Sequence, residues 1–462
     1  MYTNTLRGDN IFAHKYQLLQ NVYQFAFTSL HVMPNTHVVL PLNTPRAHSS
    51  IAWFTRLSRY MPSYMLTNQT NQMLTRMLRD CMVMIVTLLM MLPVPSVAQW
   101  ALMRSDADQA ARAGVRYIYN LEFDSARAEF EKVIIAYPKH PVGYFLDAMV
   151  DWWQIVTDFR SKNTLDARFL SKIDKVIAVS DAILAENSND IVGLFFKGGI
   201  IGFRGRYYVL RDEWLKAASD GKTALDIVMK CAEIAPGNRD VLLGTGLYHY
   251  FAAAVPERYP YLKPALSFLP PGDKKVGIEE LRIAGKQARY ANVEAKVVLL
   301  QIFYGFERNY VEAMTIAEDL VKEFPKNSYF KSYLARCYVQ VGNYEKMEAL
   351  WRDILLACMD KKVGYDYVTA REAMYYIGLA LKNRGQYETA LQYFYKCDEF
   401  CRKLDSKPSG WMIMLNNHIG NIYDLQNKRD LAVKQYNKVL SWEDYYDSHK
   451  YAKQFLQRPY GK

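Results

Sequence analysis

Gly378-Leu-Ala-Leu381-Lys-Asn-Arg-Gly385-Gln-Tyr-Glu-Thr-Ala390-Leu-Gln-Tyr-Phe394-Tyr-Lys-Cys397 is the stretch whose reading decides the fold. Small or bulky residues fall at offsets 0, 3, 12, 16 and 19 from Gly378. Offsets 0 and 3 share one face of a helix, and 12, 16 and 19 share one face of a second helix after a short turn. Gly385, at offset 7, supplies the positive φ that ends the first helix, and Gln386-Tyr-Glu restarts the chain. The unit is therefore a helix hairpin whose two apolar stripes meet. The same offsets recur from Gly114 (Tyr117, Ala126, Phe130, Val133, Pro138) and from Gln301 (Tyr304, Ala313, Ala317, Leu320, Pro325). They recur again from Ala335 (Tyr338, Met347, Trp351, Ile354) and from Gly420 (Tyr423, Ala432, Tyr436, Val439). Prolines at offset 24 close second helices, as in Tyr137-Pro138 and Phe324-Pro325. A single hairpin cannot bury both its faces, so the units must stack into a solenoid.

Over residues 112–140 and 294–440 this cadence resembles the tetratricopeptide repeat (TPR). The resemblance implies an all-α helix-hairpin solenoid wound as a right-handed superhelix, and it is silent on chemistry. Only the step from Gln301 to Ala335 has the strict 34-residue spacing; the later steps of 43 and 42 residues require longer helices or connections, at Met359–Val368 and Lys403–Ser409.

The middle of the chain departs from the cadence. Gly198, Gly202 and Gly205 share a helical face where close helix contact is expected, and a long helix is predicted over Trp214–Ala235. Gly244-Thr-Gly246 lacks the third glycine and the preceding strand of a dinucleotide fingerprint. Five prolines between Val255 and Gly277 interrupt any continuous helix and mark an irregular insertion packed back onto the solenoid. Gly244-x-Gly246, Leu266-Ser-Phe-Leu-Pro270 and Gly277-x-x-x-Leu281 resemble the central segment of a narrower group, the tetratricopeptide-39-like and inclusion-body-clearance proteins with their bacterial secreted relatives. From that resemblance only the fold is carried over.

Of the 462 residues half are hydrophobic, ample for a large core, and the 35 tyrosines are assigned to repeat packing. The net charge of +11 is uneven: residues 1–98 hold seven Lys/Arg and two Asp, and the remainder 51 basic and 45 acidic residues. No basic stripe with interleaved aromatics appears, so nucleic acid is excluded as a partner. Cys81–Leu92 is an apolar run preceded by Arg76 and Arg79 and followed by Ser96 and Ala98 at a small-x-small spacing. This pattern resembles a secretory signal peptide over 77–98, with cleavage after Ala98 and Gln99 as the first mature residue. Residues 1–76 then read as an over-extended start or disordered leader, with Met73 or Met77 as the initiator; an organellar transit segment and a retained anchor are the competing readings. The expected destination is periplasmic or secreted.

The expected organisation is thus N-terminal repeats over 99–189, divergent repeats over 190–293 with the 255–277 insertion, a regular array over 294–441, and a capping helix (Trp442–Leu456) with its tail over 442–462. The five cysteines after residue 98 are odd in number and form no disulfide framework; Cys397 and Cys401, one turn apart, read as small buried apolar residues. His140, His249, His418 and His449 lack metal-type spacing, and no nucleophile elbow, phosphate loop or carboxylate pair is present. No catalysis, cofactor or metal is expected. Solenoids bind with the concave face, and first-helix residues outside the core stripe select Tyr329, Ser332 and Arg336; Glu372, Tyr375 and Lys382; and Asn417, Asn421 and Asp424 as a partner groove. The functional expectation is a non-catalytic envelope scaffold binding protein or peptide segments there. The alternative is a glycan- or small-ligand-binding protein peripheral to the outer membrane.

Overall fold

The computed structural model describes residues 105–158, 164–260, 263–267 and 270–462. The signal-peptide and leader expectations lie outside these residues. Every regular element described is helical. In chain order the helices are α1 (Ser105–Tyr119), α2 (Phe123–Ala136), α3 (Pro141–Thr157), α4 (Thr164–Glu186), α5 (Ile191–Leu210), α6 (Trp214–Ile234), α7 (Val241–Arg258), the short α8 (Lys263–Leu266) and α9 (Lys274–Gln287). They continue as α10 (Asn292–Gln301), α11 (Tyr310–Glu323), α12 (Ser328–Gln340), α13 (Tyr344–Met359), α14 (Tyr367–Asn383), α15 (Tyr387–Leu404), α16 (Gly410–Leu425), α17 (Arg429–Leu440) and α18 (Ser448–Gln457). Successive helices pair as hairpins and stack on the next pair, as the repeat spacing requires.

One turn geometry repeats along the array. The offset-7 residue is left-handed at Leu121 (φ 60°), Gly342 (φ 74°), Gly385 (φ 77°) and Asn427 (φ 59°). The next residue then donates its N–H back to the offset-3 carbonyl: Glu122 to Tyr117, Asn343 to Tyr338, Gln386 to Leu381 and Lys428 to Tyr423. These bonds satisfy carbonyls that the ending helix leaves open. Asn309 and Asn343 then cap α11 and α13, accepting from Glu312 and Lys346 N–H at 3.2 Å. Arg308 holds the left-handed position in the Gln301 copy (φ 54°), where α10 runs into a π-helical turn over Ile302–Phe306.

In three hairpins the ring at offset 16 fills the gap opposite a glycine at offset 0. A Cβ on Gly114 would lie 2.3 Å from Phe130, one on Gly378 2.8 Å from Phe394, and one on Gly420 2.5 Å from Tyr436. Glycine is required there because the ring occupies the space a side chain would need.

The centre is more regular than its sequence suggests. Asp212 (φ 63°) and the Glu213 N–H bond to the Tyr208 carbonyl repeat the same turn. Gly205 therefore opens a copy with Tyr208 and Ala217 at offsets 3 and 12. It escaped the sequence pattern because Gly221 and Ala224 leave offsets 16 and 19 both without a bulky residue. The long α6 matches the helix expected over Trp214–Ala235 to within one residue. The insertion is narrower than 255–277: α7 runs through Pro256 to Arg258, and α9 starts at Lys274. The insertion is the connection of the α7–α9 hairpin. The C-terminal cap also starts later than expected, at Ser448, because Tyr446 and Asp447 adopt left-handed φ of 49° and 56°.

The solenoid turns back on itself. The α1–α2 hairpin meets α9–α12: Asp108 pairs with Arg289 at 2.8 Å and accepts from the Tyr290 hydroxyl at 2.8 Å. Asn327 Nδ2 donates to the Tyr119 carbonyl at 2.8 Å, and Lys326 pairs with Glu122 at 2.8 Å. Trp153 on α3 sits edge-on to Phe330 with ring centres 5.6 Å apart. Gly364 (φ 78°) lets the α13–α14 loop approach Leu121, whose Cδ1 would stand 2.5 Å from any added Cβ.

Candidate functional site

The inner-face residues selected by spacing do form one run of neighbours. On α12, the Tyr329 hydroxyl accepts from Gln301 Nε2 at 2.6 Å and its ring lies 5.9 Å from that of Trp153. Ser332 is buried. Arg336 reaches Glu372 on α14 with two bonds of 2.6 Å each, its guanidinium 5.3 Å from the centre of the Tyr333 ring. On α14, the Tyr375 hydroxyl stands 3.2 Å from His418 Nε2, and Lys382 Nζ lies 3.4 Å from His418 Nδ1 and 4.7 Å from the centre of the Tyr460 ring. On α16, Asn417 donates to the Ser448 carbonyl at 3.4 Å. Asn421 and Asp424 both accept from the Tyr436 hydroxyl, and Asp424 also takes Arg429 at 2.8 Å and the Tyr460 N–H at 2.9 Å.

These residues are not the open polar surface that the spacing argument expected. Apart from the partly buried Tyr329 and Arg336, all of them are buried, and their polar bonds run to other parts of the same chain. Two causes are visible. The N-terminal repeats fold back onto the α10–α12 face, and α18 with the C-terminal tail covers α16. A spacing rule finds the inward side of a helix but cannot tell whether that side meets solvent or another turn of the superhelix.

Electrostatics reinforce the structural role. Burial by itself would lower the Arg336 pKa, but the charge and hydrogen bonds of Glu372 outweigh it and hold the guanidinium above its ordinary range. Burial pushes Lys382 down to about 8, and burial together with the Lys382 charge holds His418 well below 6.5, so His418 is neutral at physiological pH. Elsewhere Arg371 pairs with Asp405 at 2.7 Å, both nearly inaccessible. The fully buried Asp151 gathers Arg127 at 2.5 Å, Arg168 at 2.8 Å and Lys172 at 3.3 Å. Such pairs lock neighbouring helices in register, because a buried charge without its partner is costly.

No cluster of His, Cys, Asp and Glu able to hold a metal occurs among the described residues. Cys397 and Cys401 are buried, and Cys397 Sγ donates to the Arg371 carbonyl at 3.3 Å. His140 serves as the N-cap of α3, its Nδ1 accepting from Val142 N–H at 3.1 Å. Sequence reasoning missed the closure partners Tyr119, Trp153, Arg206 and Glu294. Their contacts join residues up to 208 positions apart, and no local periodicity encodes such pairs.

Family models of the tetratricopeptide repeat match residues 372–399 and 415–445, which cover most of α14–α15 and of α16–α17 with their turns. The chain carries tetratricopeptide repeats. Its TPR hairpins are similar to those of a thermophilic TPR protein from Thermus thermophilus, at 14% identity over 50% of this chain and 99% of that one, with a TM-score of 0.31. They are also similar to the apo form of RapI (13% identity, 72% and 86% of the two chains, TM-score 0.36) and to yeast Tom70 (11%, 77% and 89%, 0.30). At these values the family rests on the repeat models and the hairpin geometry, not on the superpositions. No curated protein matches the TPR chain by sequence.

Proposed function

We propose that this TPR protein is a non-catalytic adaptor of the bacterial cell envelope that binds a segment of a partner protein. The reading is supported by the stacked hairpins, a rigid architecture whose surfaces are suited to holding another chain. With the inner face committed to internal contacts, the contact surface assigned here is the ridge at the α13–α14 turn. Leu356, Met359, Val363 and Tyr367 are 59–71% exposed there, the observation that carries this assignment. Apolar side chains left exposed within one short stretch of chain offer surface that a partner can bury.

The glycan alternative would need accessible hydrogen-bond donors and acceptors on the inner face, and seven of those nine side chains are buried. Export to the envelope rests on the Arg76–Ala98 pattern and is tested by N-terminal sequencing of the exported product, expected to start at Gln99. The adaptor reading is tested by recovering cross-linked envelope proteins with the wild type and with a Leu356→Glu, Met359→Glu double variant. The variant should lose the recovered partner while keeping the wild-type urea midpoint. Unchanged recovery would sink the ridge as the contact surface.

A further inference from the structure

We propose that a solvent-open cavity beneath α5, α6 and α7 is a binding site for an uncharged, lipid-like small molecule. The cavity has a volume of about 460 Å³, inside the range of roughly 300–1,000 Å³ typical of small-molecule sites. Its origin is written in the repeat. In the copy opened by Gly205, Gly221 stands at the offset where the other five copies carry Phe130, Ala317, Trp351, Phe394 and Tyr436, so that it is the one without any side chain. A Cβ added at Gly221 would meet no atom within 4 Å, and one at Gly202 would meet only the Ala224 Cβ at 3.8 Å. Close helix packing therefore does not explain these two glycines, in contrast to Gly198 and Gly244, where a Cβ would lie 2.9 and 2.8 Å from Ile227 and Val228.

The walls select the ligand. The wall is predominantly apolar, with Phe145, Met149, Phe203, Leu247, Phe251 and Val255 among its residues. Leu266, Pro270 and Pro271 of the proline-rich insertion form one side, which gives that segment a role. It is fixed against α7 by the Tyr248 hydroxyl, which donates to the Pro270 carbonyl, and by Gly272, where a Cβ would come within 2.3 Å of the His249 carbonyl.

The polar side chains at the wall are spent. Arg206 pairs with Glu294 at 2.6 Å, and Tyr119 donates to Glu294 at 3.4 Å. Asp240 accepts the N–H groups of Arg289, Tyr290 and Ala291 at 3.3, 2.9 and 2.9 Å, and the Tyr290 hydroxyl donates to Asp108. A charged headgroup would have to break the Arg206–Glu294 pair and leave one charge buried alone. A peptide would bring backbone N–H and C=O groups that find few partners on such a wall. An aliphatic chain with at most a neutral polar end meets neither obstacle.

The full-length protein is titrated with Nile red, an uncharged fluorescent probe, and bound probe is displaced with dodecanol, dodecanoate or a leucine-rich peptide. Saturable binding displaced preferentially by dodecanol is expected. Gly202→Leu and Gly221→Phe should each weaken it at least tenfold, whereas the Leu356→Glu, Met359→Glu ridge variant should bind as the wild type does. Gly221→Phe adds its side chain where no atom is near, so its urea midpoint should not fall, and it stands as the decisive variant if Gly202→Leu fails to fold. Undiminished binding in a folded Gly221→Phe protein, or displacement only by dodecanoate or only by the peptide, overturns the proposal. Loss of partner capture in the ridge variant with Nile red binding intact would separate this site from the adaptor surface.

Discussion

Replacing Glu372 by Gln removes one charge from a buried bidentate pair and takes from Arg336 the carboxylate that it bonds twice. The pair makes two bonds of 2.6 Å, with side-chain exposures of 16% for Arg336 and 6% for Glu372. Hydrogen bonds to charged groups contribute about 1.5–3 kcal/mol each, and breaking one partner of a buried pair costs about 3–5 kcal/mol. An exposed pair would contribute only about 0–1 kcal/mol. We therefore expect Glu372→Gln to destabilise the α12–α14 region by about 3–4 kcal/mol. The double variant Arg336→Met, Glu372→Leu should recover most of that loss, since well-packed apolar replacements of buried pairs are often neutral. Repeat arrays can unfold in parts, so urea unfolding followed by circular dichroism is combined with amide hydrogen exchange on α12 and α14, which reads the local opening. A loss below about 1 kcal/mol in Glu372→Gln, the value of a surface pair, would refute the buried seam and return these residues to the role of an open groove.

Other outcomes follow from the same structure. Gly378→Ala and Gly420→Ala push a methyl into the Phe394 and Tyr436 rings; overpacking of about 1–3 kcal/mol set against about 1 kcal/mol of helix propensity gives neutral to 2 kcal/mol destabilised proteins. Gly221→Ala, with open space at its Cβ, should instead stabilise by about 0.4–1 kcal/mol in the same urea experiment. For Asp151, burial would raise the pKa, but hydrogen bonds from Arg168 and Arg127 and the Lys172 charge lower it below 3.8. Its stabilisation is thus full above the unfolded value and lost as pH falls through the folded one. Asp151→Asn should be strongly destabilised at pH 7, with the gap to wild type closing in acid, as urea midpoints measured from pH 7 to pH 2 will show. Lys382 titrates at about 8 when folded and 10.5 otherwise. The unfolded chain holds that proton more tightly, so wild-type stability should rise relative to Lys382→Met between pH 7 and 9.5; parallel pH curves would contradict this.

Much of the fold was legible because it is local. Gly385, Gln386 and Tyr387 carry a turn instruction that needs no distant partner, and the residues at offsets 0, 12 and 16 meet within a single hairpin. The copy at Gly205 was hidden for the same reason in reverse: with Gly221 and Ala224 at offsets 16 and 19 the bulky apolar signal vanished, although the backbone turn at Asp212 stayed the same. The boundaries of the insertion and the C-terminal cap moved because Pro256 is accommodated within α7 and because Tyr446 and Asp447 turn left-handed, which side-chain periodicity does not report.

By itself the sequence determined the hairpin, its turn, its stacking and the inward direction of residues such as Arg336, Tyr375 and Asn421. Each depends on side chains within one or two repeats of each other. Only the tertiary structure decided whether that inward face meets water. Small rotations between successive hairpins accumulate until Tyr119 reaches Asn327 and Arg206 reaches Glu294. Closure converts the anticipated groove into a buried seam, an outcome that depends on how the hairpins stack along the whole array and not on any one repeat.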